Sequence, residues 1–161
     1  MTGFDVSKKR RKPGRPARET GALPVIFRHS GGADIDLKLT PHAHLSKILA
    51  GEGDEECWHT IVFRLNCGNA IANKSYAHQP EAQDEMERAL AAICEVGKRY
   101  KRTGKLGCSG DEFRAIGAGL NLADDLQAST TRREQREAYR WVYSQVGGNT
   151  EMLDVMQRGA R

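Results

Sequence analysis

The chain has 161 residues, a mass of 17.8 kDa, 39% hydrophobic residues and a formal net charge of +4. This length fits a single domain, and no apolar run approaches the roughly 18 to 20 residues that cross a bilayer, so we expect no membrane-spanning segment. Residues 1–18 hold seven Lys and Arg against Asp5 alone, which gives +6 and leaves −2 for the rest of the chain. This distribution excludes a uniformly basic protein that coats nucleic acid.

Residues 1–22 form a polar, basic segment that is rich in Pro and Gly. Such a composition buries too little apolar surface to offset the entropy of ordering, which predicts a tail that is disordered when unbound. The tail also lacks the apolar stretch of a secretory signal. Its cations surround a glycine between two prolines, in the order Lys8, Lys9, Arg10, Arg11, Lys12, Pro13, Gly14, Arg15, Pro16 and Arg18.

The prolines keep this strip extended, and the glycine between them lets the backbone approach a surface closely. A thin cationic strip fits the narrow, strongly negative minor groove of A·T-rich DNA, with Arg15 inserted and the other cations on phosphates. At Gly14-Arg15-Pro16, with Lys12 and Arg18 alongside, the sequence resembles the AT-hook family of minor-groove binders. Pro13 stands where that family usually has its first core arginine. The resemblance implies A·T-rich DNA as the partner of the tail.

Two segments beyond the tail flank a turn signal. Residues 23–27 are largely apolar, residues 29–32 have the sequence His-Ser-Gly-Gly, and residues 34–39 alternate strictly between polar and apolar. This pattern predicts a β-hairpin.

From Thr40 onward the start and stop signals are those of helices. Thr40 as N-cap, with Pro41 at the first helical position, predicts a short helix that ends before Gly51. Asp54 is placed to cap a second helix up to about residue 73. A third helix is predicted over residues 80–103, with acidic residues at its start and cations at its end, as the helix dipole favours.

Two capping-box patterns begin the next helices. Ser109 with Glu112 predicts a helix over residues 110–126, and Thr131 with Glu134 predicts one that ends before Gly147. Residues 150–157 are expected to form a last short helix. The chain is therefore predicted to be mainly α, with the tail of residues 1–22 and one compact domain of about five helices, residues 23–161, that begins with the β-hairpin.

The body offers only weak patterns for chemistry. A zinc interpretation is disfavoured because i, i+2 pairs point to different faces of a helix, and the residues concerned are His42, His44, Cys57, His59 and Cys67. Asp36 and Lys38 suit a metal-dependent nuclease, yet the charges of the wet face of a strand account for the same residues. The four cysteines lack paired spacing and are expected to be reduced thiols. We predict a non-enzymatic protein without a metal or cofactor.

Two basic stretches of the body are candidate DNA contacts. Residues 110–126 and the helix that follows are compatible with a helix-turn-helix whose second helix enters a major groove. The contacts of that helix would come from Arg132, Arg133, Arg136 and Arg140. Glutamates stand between these arginines, and charges of alternating sign are also typical of an ordinary solvent-exposed helix. Lys101 and Arg102 are a second candidate phosphate contact, although a helix C-terminus attracts cations in any case.

These patterns predict a small regulatory or accessory DNA-binding protein, whose tail contacts the minor groove and whose body forms a homodimer or binds a protein partner. A single AT-hook-like segment binds DNA weakly, so a second contact with DNA is expected from the body or from oligomerisation. We expect the protein in the cytoplasm with the nucleoid, or in the nucleus of a eukaryotic cell. The alternative hypothesis is a protein-interaction module that modulates a partner protein, with the tail serving only localisation or solubility.

Overall fold

Five α-helices make up the structure, a computed structural model that describes residues 32–146 and the side chains of residues 38–145. The helices are α1 (Gly32–Ala50), α2 (Glu55–Ser75), α3 (Pro80–Thr103), α4 (Gly110–Ala128) and α5 (Arg132–Val146). The mainly helical fold is confirmed for this part of the chain, which contains no β-strand. None of these five helices is both long and apolar enough to cross a membrane.

Side-chain caps fix where three of the helices begin. The Asp54 carboxylate accepts the N–H of the third residue of α2 at 2.9 Å. Ser109 and Glu112 exchange backbone-to-side-chain hydrogen bonds of 2.7 and 3.2 Å at the start of α4. Thr131 and Glu134 form the same pair of bonds, of 2.8 and 3.3 Å, at the start of α5. These caps satisfy N–H groups that a first helical turn leaves without partners, and the predicted starts of α2, α4 and α5 are confirmed.

Helix α2 lies at the centre of the fold, because it packs against each of the other four helices. Its apolar residues recur at helical spacing, and Ile61, Val62 and Leu65 are fully buried. Trp58 extends the core to α3, where its indole N–H donates to the Ile93 carbonyl oxygen at 3.0 Å. Helices α3 and α4 pack on α2 and on each other, so three helices share one apolar core.

Small residues let these three helices approach closely. A Cβ added at Gly119 of α4 would collide with the Cβ of Ala89 in α3. A Cβ added at Gly68 of α2 would lie only 2.6 Å from the Cβ of Ala123 in α4. Because real Cβ atoms do not approach so closely, a methyl group at either position would force the helices apart.

Helix α1 differs from its prediction. It begins at Gly32, so residues 34–39, predicted as the second strand of a hairpin, are helical, and Pro41 lies inside the helix rather than at its start. The alternating pattern is ambiguous, because Ile35 and Leu39 lie four residues apart and satisfy helical spacing as well. Pro41 has no N–H to donate to the carbonyl oxygen four residues earlier, which disfavours proline inside a helix. Pro41 is buried, and the burial of its apolar ring favours this position.

Three predicted segments lie outside the described residues. They are the tail of residues 1–22, the first strand of the hairpin at residues 23–27, and the last helix at residues 150–157. The other helices end within two residues of their predicted ends. Gly104, with φ 68°, ends α3 in the left-handed conformation that favours glycine.

Arg99 joins the end of α3 to the start of α4. Its guanidinium donates to both carboxylate oxygens of Glu112 and to the Gly107 carbonyl oxygen. The bond from Arg99 holds the pKa of Glu112 below its ordinary value, about 4.5. A carboxylate with a depressed pKa stabilises the fold above that ordinary pKa, and the contribution is lost as the pH falls through the folded-state pKa.

The variant Glu112→Gln tests this pair. We expect it to lower the urea midpoint at about pH 7 and to lower it less at about pH 3, where the native carboxylate is also losing its charge. Urea unfolding of both proteins at the two pH values measures the difference. Glu87→Gln, at an exposed position of α3, is the control. An equal loss for Glu112→Gln at both pH values would contradict the ion-pair account.

Two glycines of α4, two residues apart, test the close packing. Gly119→Ala should lower the free energy of unfolding by about 1 to 3 kcal/mol, because the new methyl group overlaps Ala89. Gly117→Ala should raise it by about 0.4 to 1 kcal/mol, because alanine favours the helix and the nearest atom, Leu45 Cδ2, is 3.8 Å away. Urea unfolding measures both values, and an unchanged or raised free energy of unfolding for Gly119→Ala would show that α3 and α4 are not in close contact there.

Candidate functional site

Helix α5 presents a basic face to solvent. Arg132, Arg136 and Arg140 are exposed and lie on successive turns, because residues four apart share one side of a helix. We call these three residues the α5 basic face. The other side of the helix is buried against α2 through residues that include Tyr139 and Val142. No ion pair within residues 38–145 engages Arg136 or Arg140, so their charges are available to a ligand.

The acidic residues that alternate with these arginines anchor α5. Glu137 pairs with Lys74 of α2 and with Arg133. Glu134 accepts from the backbone and the hydroxyl of Thr131. The bond from Lys74 lowers the pKa of Glu137, and the bond from the Thr131 backbone lowers the pKa of Glu134. Because Arg133 shares the charge of Glu137, it contributes less to the positive potential than Arg136 or Arg140 does.

A buried polar cluster holds four helices together behind this face. Arg64 of α2 is only 4% exposed and donates to Asp124 and Gln127 of α4. The side-chain oxygen of Gln127 also accepts from the Tyr139 hydroxyl of α5 at 3.1 Å. The other carboxylate oxygen of Asp124 lies 3.0 Å from Nε2 of His42 in α1. We call these five residues the Arg64 cluster, which ties α1, α2, α4 and α5 at one point.

Sequence reasoning missed the Arg64 cluster, although His42 was considered as a metal ligand. The signal in the sequence that could have indicated this cluster was Arg64 itself, because it stands next to Leu65 among the buried residues of α2. A cation at a core position requires an anion opposite, and Asp124 follows the buried Ala123 of α4. The sequence does not indicate which of several acidic residues would supply the partner.

The second predicted basic contact lies on α3 rather than on α5. Lys101 and Arg102 are exposed at the end of α3, where Arg99 bonds to the start of α4. The start of α5 lies near the opposite end of α4, where the Tyr76 hydroxyl donates to the Ser129 carbonyl oxygen at 3.1 Å. Helix α4 has 19 residues and is therefore about 28 Å long. Lys101 and Arg102 therefore lie at the end of α4 opposite to the start of α5.

The connection between α4 and α5 has the length that a helix-turn-helix needs, residues 129–131. The packing of α4 and α5 differs from that of a helix-turn-helix, because α5 lies against α2. The α4–α5 pair is not among the main helix contacts of residues 32–146. The exposed arginines of α5 therefore lie on a single helix that is supported from behind by α2.

The residues considered for zinc or nuclease chemistry are dispersed. Within residues 38–145 no three His, Cys, Asp or Glu side chains lie close enough to hold a metal ion. His59 lies 3.3 Å from Glu55, one turn away on α2. Asp36 and Lys38 lie on helix α1 rather than on a strand. His44 lies on α1, whereas Cys57 lies on α2.

The cysteines are free thiols, and burial raises the pKa of all four, which are Cys57, Cys67, Cys94 and Cys108. A protonated thiol is a poor nucleophile and a poor metal ligand. Cys108 lines an open groove of about 950 Å³ between the α1–α2 and α3–α4 connections. The Arg99 side chain in this groove is already engaged by Glu112.

Comparison of the chain with protein-family models, with curated proteins and with solved structures finds no match.

Two adjacent acidic residues of α4 test the Arg64 cluster. Asp124→Ala leaves the buried Arg64 guanidinium without its anion, so we expect a loss of about 3 kcal/mol in the free energy of unfolding. Asp125→Ala is the control, because Asp125 is exposed and a surface change of this kind stays within about 0.5 kcal/mol. Urea unfolding of both variants measures the difference, and equal losses would mean that Asp124 does not compensate Arg64.

Proposed function

We propose that this protein binds DNA without catalysing a reaction, with the α5 basic face on the phosphate backbone and the tail in a minor groove. The observation that carries the proposal is the α5 basic face, with three exposed arginines on successive turns of one supported helix. The role we propose is regulatory or accessory, and the AT-hook-like core Gly14-Arg15-Pro16 of the tail supports A·T-rich DNA as the target.

The spacing of the arginines suits a phosphate backbone. Arg132 and Arg140 are eight residues apart, which is about 12 Å along the helix axis. Each DNA strand carries one phosphate per about 3.4 Å of duplex axis, so the face spans several phosphates. Arginine presents a planar fork of donors that matches phosphate oxygens, which favours a nucleic acid over a ligand with isolated charges.

The support behind the face favours binding as well. Glu137 fixes α5 to Lys74, and Tyr139 on the buried side reaches Gln127 in the Arg64 cluster. A helix held in place before binding loses less conformational entropy when it meets its ligand. The arginine side chains still have to be ordered, so the contact with DNA remains dependent on salt.

The tail is connected closely enough to act on the same DNA molecule. Gly32, where α1 begins, lies 17 positions after Arg15. An extended chain of that length reaches at most about 60 Å. Two weak contacts joined by such a linker raise each other's effective concentration, so the tail and the α5 basic face together bind more tightly than either alone.

Two double variants with the same loss of charge test the contribution of α5. Arg136→Gln/Arg140→Gln should weaken binding to a duplex and lower the slope of log K against log salt by about two, since each lost phosphate contact removes about one. Lys101→Gln/Arg102→Gln, at the end of α3, should change the slope little. Fluorescence anisotropy across a salt series measures both. Equal effects of the two variants would show that net charge alone matters.

The tail is tested by base preference. Deletion of residues 1–18 should reduce affinity for an A·T-rich duplex more than for a G·C-rich one, and Arg15→Ala should remove most of that preference. Lys8→Ala is the matched control, because it removes one cation and leaves the Gly-Arg-Pro core intact. Unchanged affinity for both duplexes after the deletion would rule out DNA binding by the tail.

A further inference from the structure

We propose that α5 binds unpaired nucleotides, with phosphates on Arg136 and Arg140 and a base stacked on Tyr143. This inference rests on the proposed function and deepens it, because it names the form of DNA that the α5 basic face takes. A duplex presents phosphates and groove edges to such a surface, whereas an unpaired strand also presents the flat faces of its bases.

The exposed aromatic residues lie on the same helix as the α5 basic face. Of the Trp, Tyr and Phe residues among the described side chains, 38–145, only Trp141 and Tyr143 are exposed, by 48% and 36%. Both belong to α5. Cations combined with exposed aromatic rings are typical of surfaces that bind single strands, because the cations follow the backbone and the rings stack on bases.

Tyr143 lies on the arginine side of α5. It follows Arg140 by three residues and Arg136 by seven, and both spacings return to the same side of a helix. Arg140 and Tyr143 are therefore about 4.5 Å apart along the helix axis. The phosphate and the base of one nucleotide are joined through a single sugar, so a cation and a ring that are neighbours on a helix suit both groups.

Phe63 of α2 supports the ring of Tyr143. The centroids of these two rings are 5.1 Å apart, at an interplanar angle of 50°. Phe63 is partly buried and stacks on Tyr139, with the ring centroids 6.1 Å apart. A ring that packing already holds in place loses less conformational entropy when a base stacks on it. Tyr143 is thus both supported by α2 and open to a ligand.

Trp141 lies on a different side of α5, next to acidic residues. It follows Glu137 by four residues and Glu134 by seven, so these three residues share one side of the helix. Both carboxylates are negative at neutral pH and repel phosphates. Tyr143 rather than Trp141 is therefore the stacking residue, although Trp141 is the more exposed of the two.

Two DNA ligands with the same A·T-rich site and the same number of phosphates test the preference. One is a blunt duplex, and the other is a shorter duplex with a single-stranded thymidine extension of about ten nucleotides. The full chain should bind the extended ligand about five- to tenfold more tightly, because a stacked base adds to the phosphate contacts. Fluorescence anisotropy measures both affinities, and equal values would overturn the proposal.

Substitutions at one position separate stacking from packing. Tyr143→Leu keeps an apolar contact with Phe63 but removes the aromatic ring, so it should abolish the tighter binding of the extended ligand. Tyr143→Phe keeps the ring and should retain the tighter binding. Trp141→Leu, on the acidic side of the same helix, is the matched control and should retain it too. Tighter binding that survives in Tyr143→Leu, or that disappears in Trp141→Leu, would overturn the proposal.

The salt dependence distinguishes this proposal from the proposed function. Tyr143→Leu should lower affinity for the extended ligand at an unchanged slope of log K against log salt, because stacking releases no counterion. A lower slope in that variant would show that Tyr143 acts through the arginines, and would overturn the stacking. Equal affinity for both ligands, with a slope that still depends on Arg136 and Arg140, would overturn this proposal alone. Failure of the native chain to bind either ligand would contradict the proposed function as well.

Discussion

The arrangement of the helices depends on the compensation of one buried cation. A guanidinium that is 4% exposed must meet an anion and further acceptors, and Arg64 obtains both from α4. The same acceptors then serve other helices, since Gln127 receives the Tyr139 hydroxyl of α5 and Asp124 lies beside His42 of α1. The requirement of one side chain thereby fixes how three helices sit on α2.

This cluster complements the apolar packing. Close contacts such as Gly119 on Ala89 set the distances between the central helices, but apolar contacts tolerate small shifts along a helix. Hydrogen bonds do not tolerate them, so the Arg64 cluster fixes the register of α4 and α5 along α2. The orientation of the α5 basic face follows, because Tyr139 on the buried side of α5 determines which side of that helix meets solvent.

Most of the described fold could be predicted from the sequence, because helix starts are encoded locally. Asp54, Ser109 and Thr131 cap helices through residues three positions away, so their chemistry is visible in a short window. Helix α1 includes residues 34–39, where the spacing fits both a strand and a helix and the sequence alone does not decide between them. The basic residues of α5 were identified from sequence, whereas the partners of Arg64 lie 60 and 63 residues away and required the structure.

Helix α5 has a further property that follows from its place at the edge of the fold. It rests mainly on α2, whereas α2, α3 and α4 each pack against several neighbours. An element with fewer neighbours opens at a lower free energy than the core does, so α5 should behave as a separate unit of local unfolding. Its amide protons would exchange with solvent before those of α2, and a bound ligand would slow that exchange. The α5 basic face is thus carried by a helix that is ordered in the native state and yet opens at a lower free energy than the core.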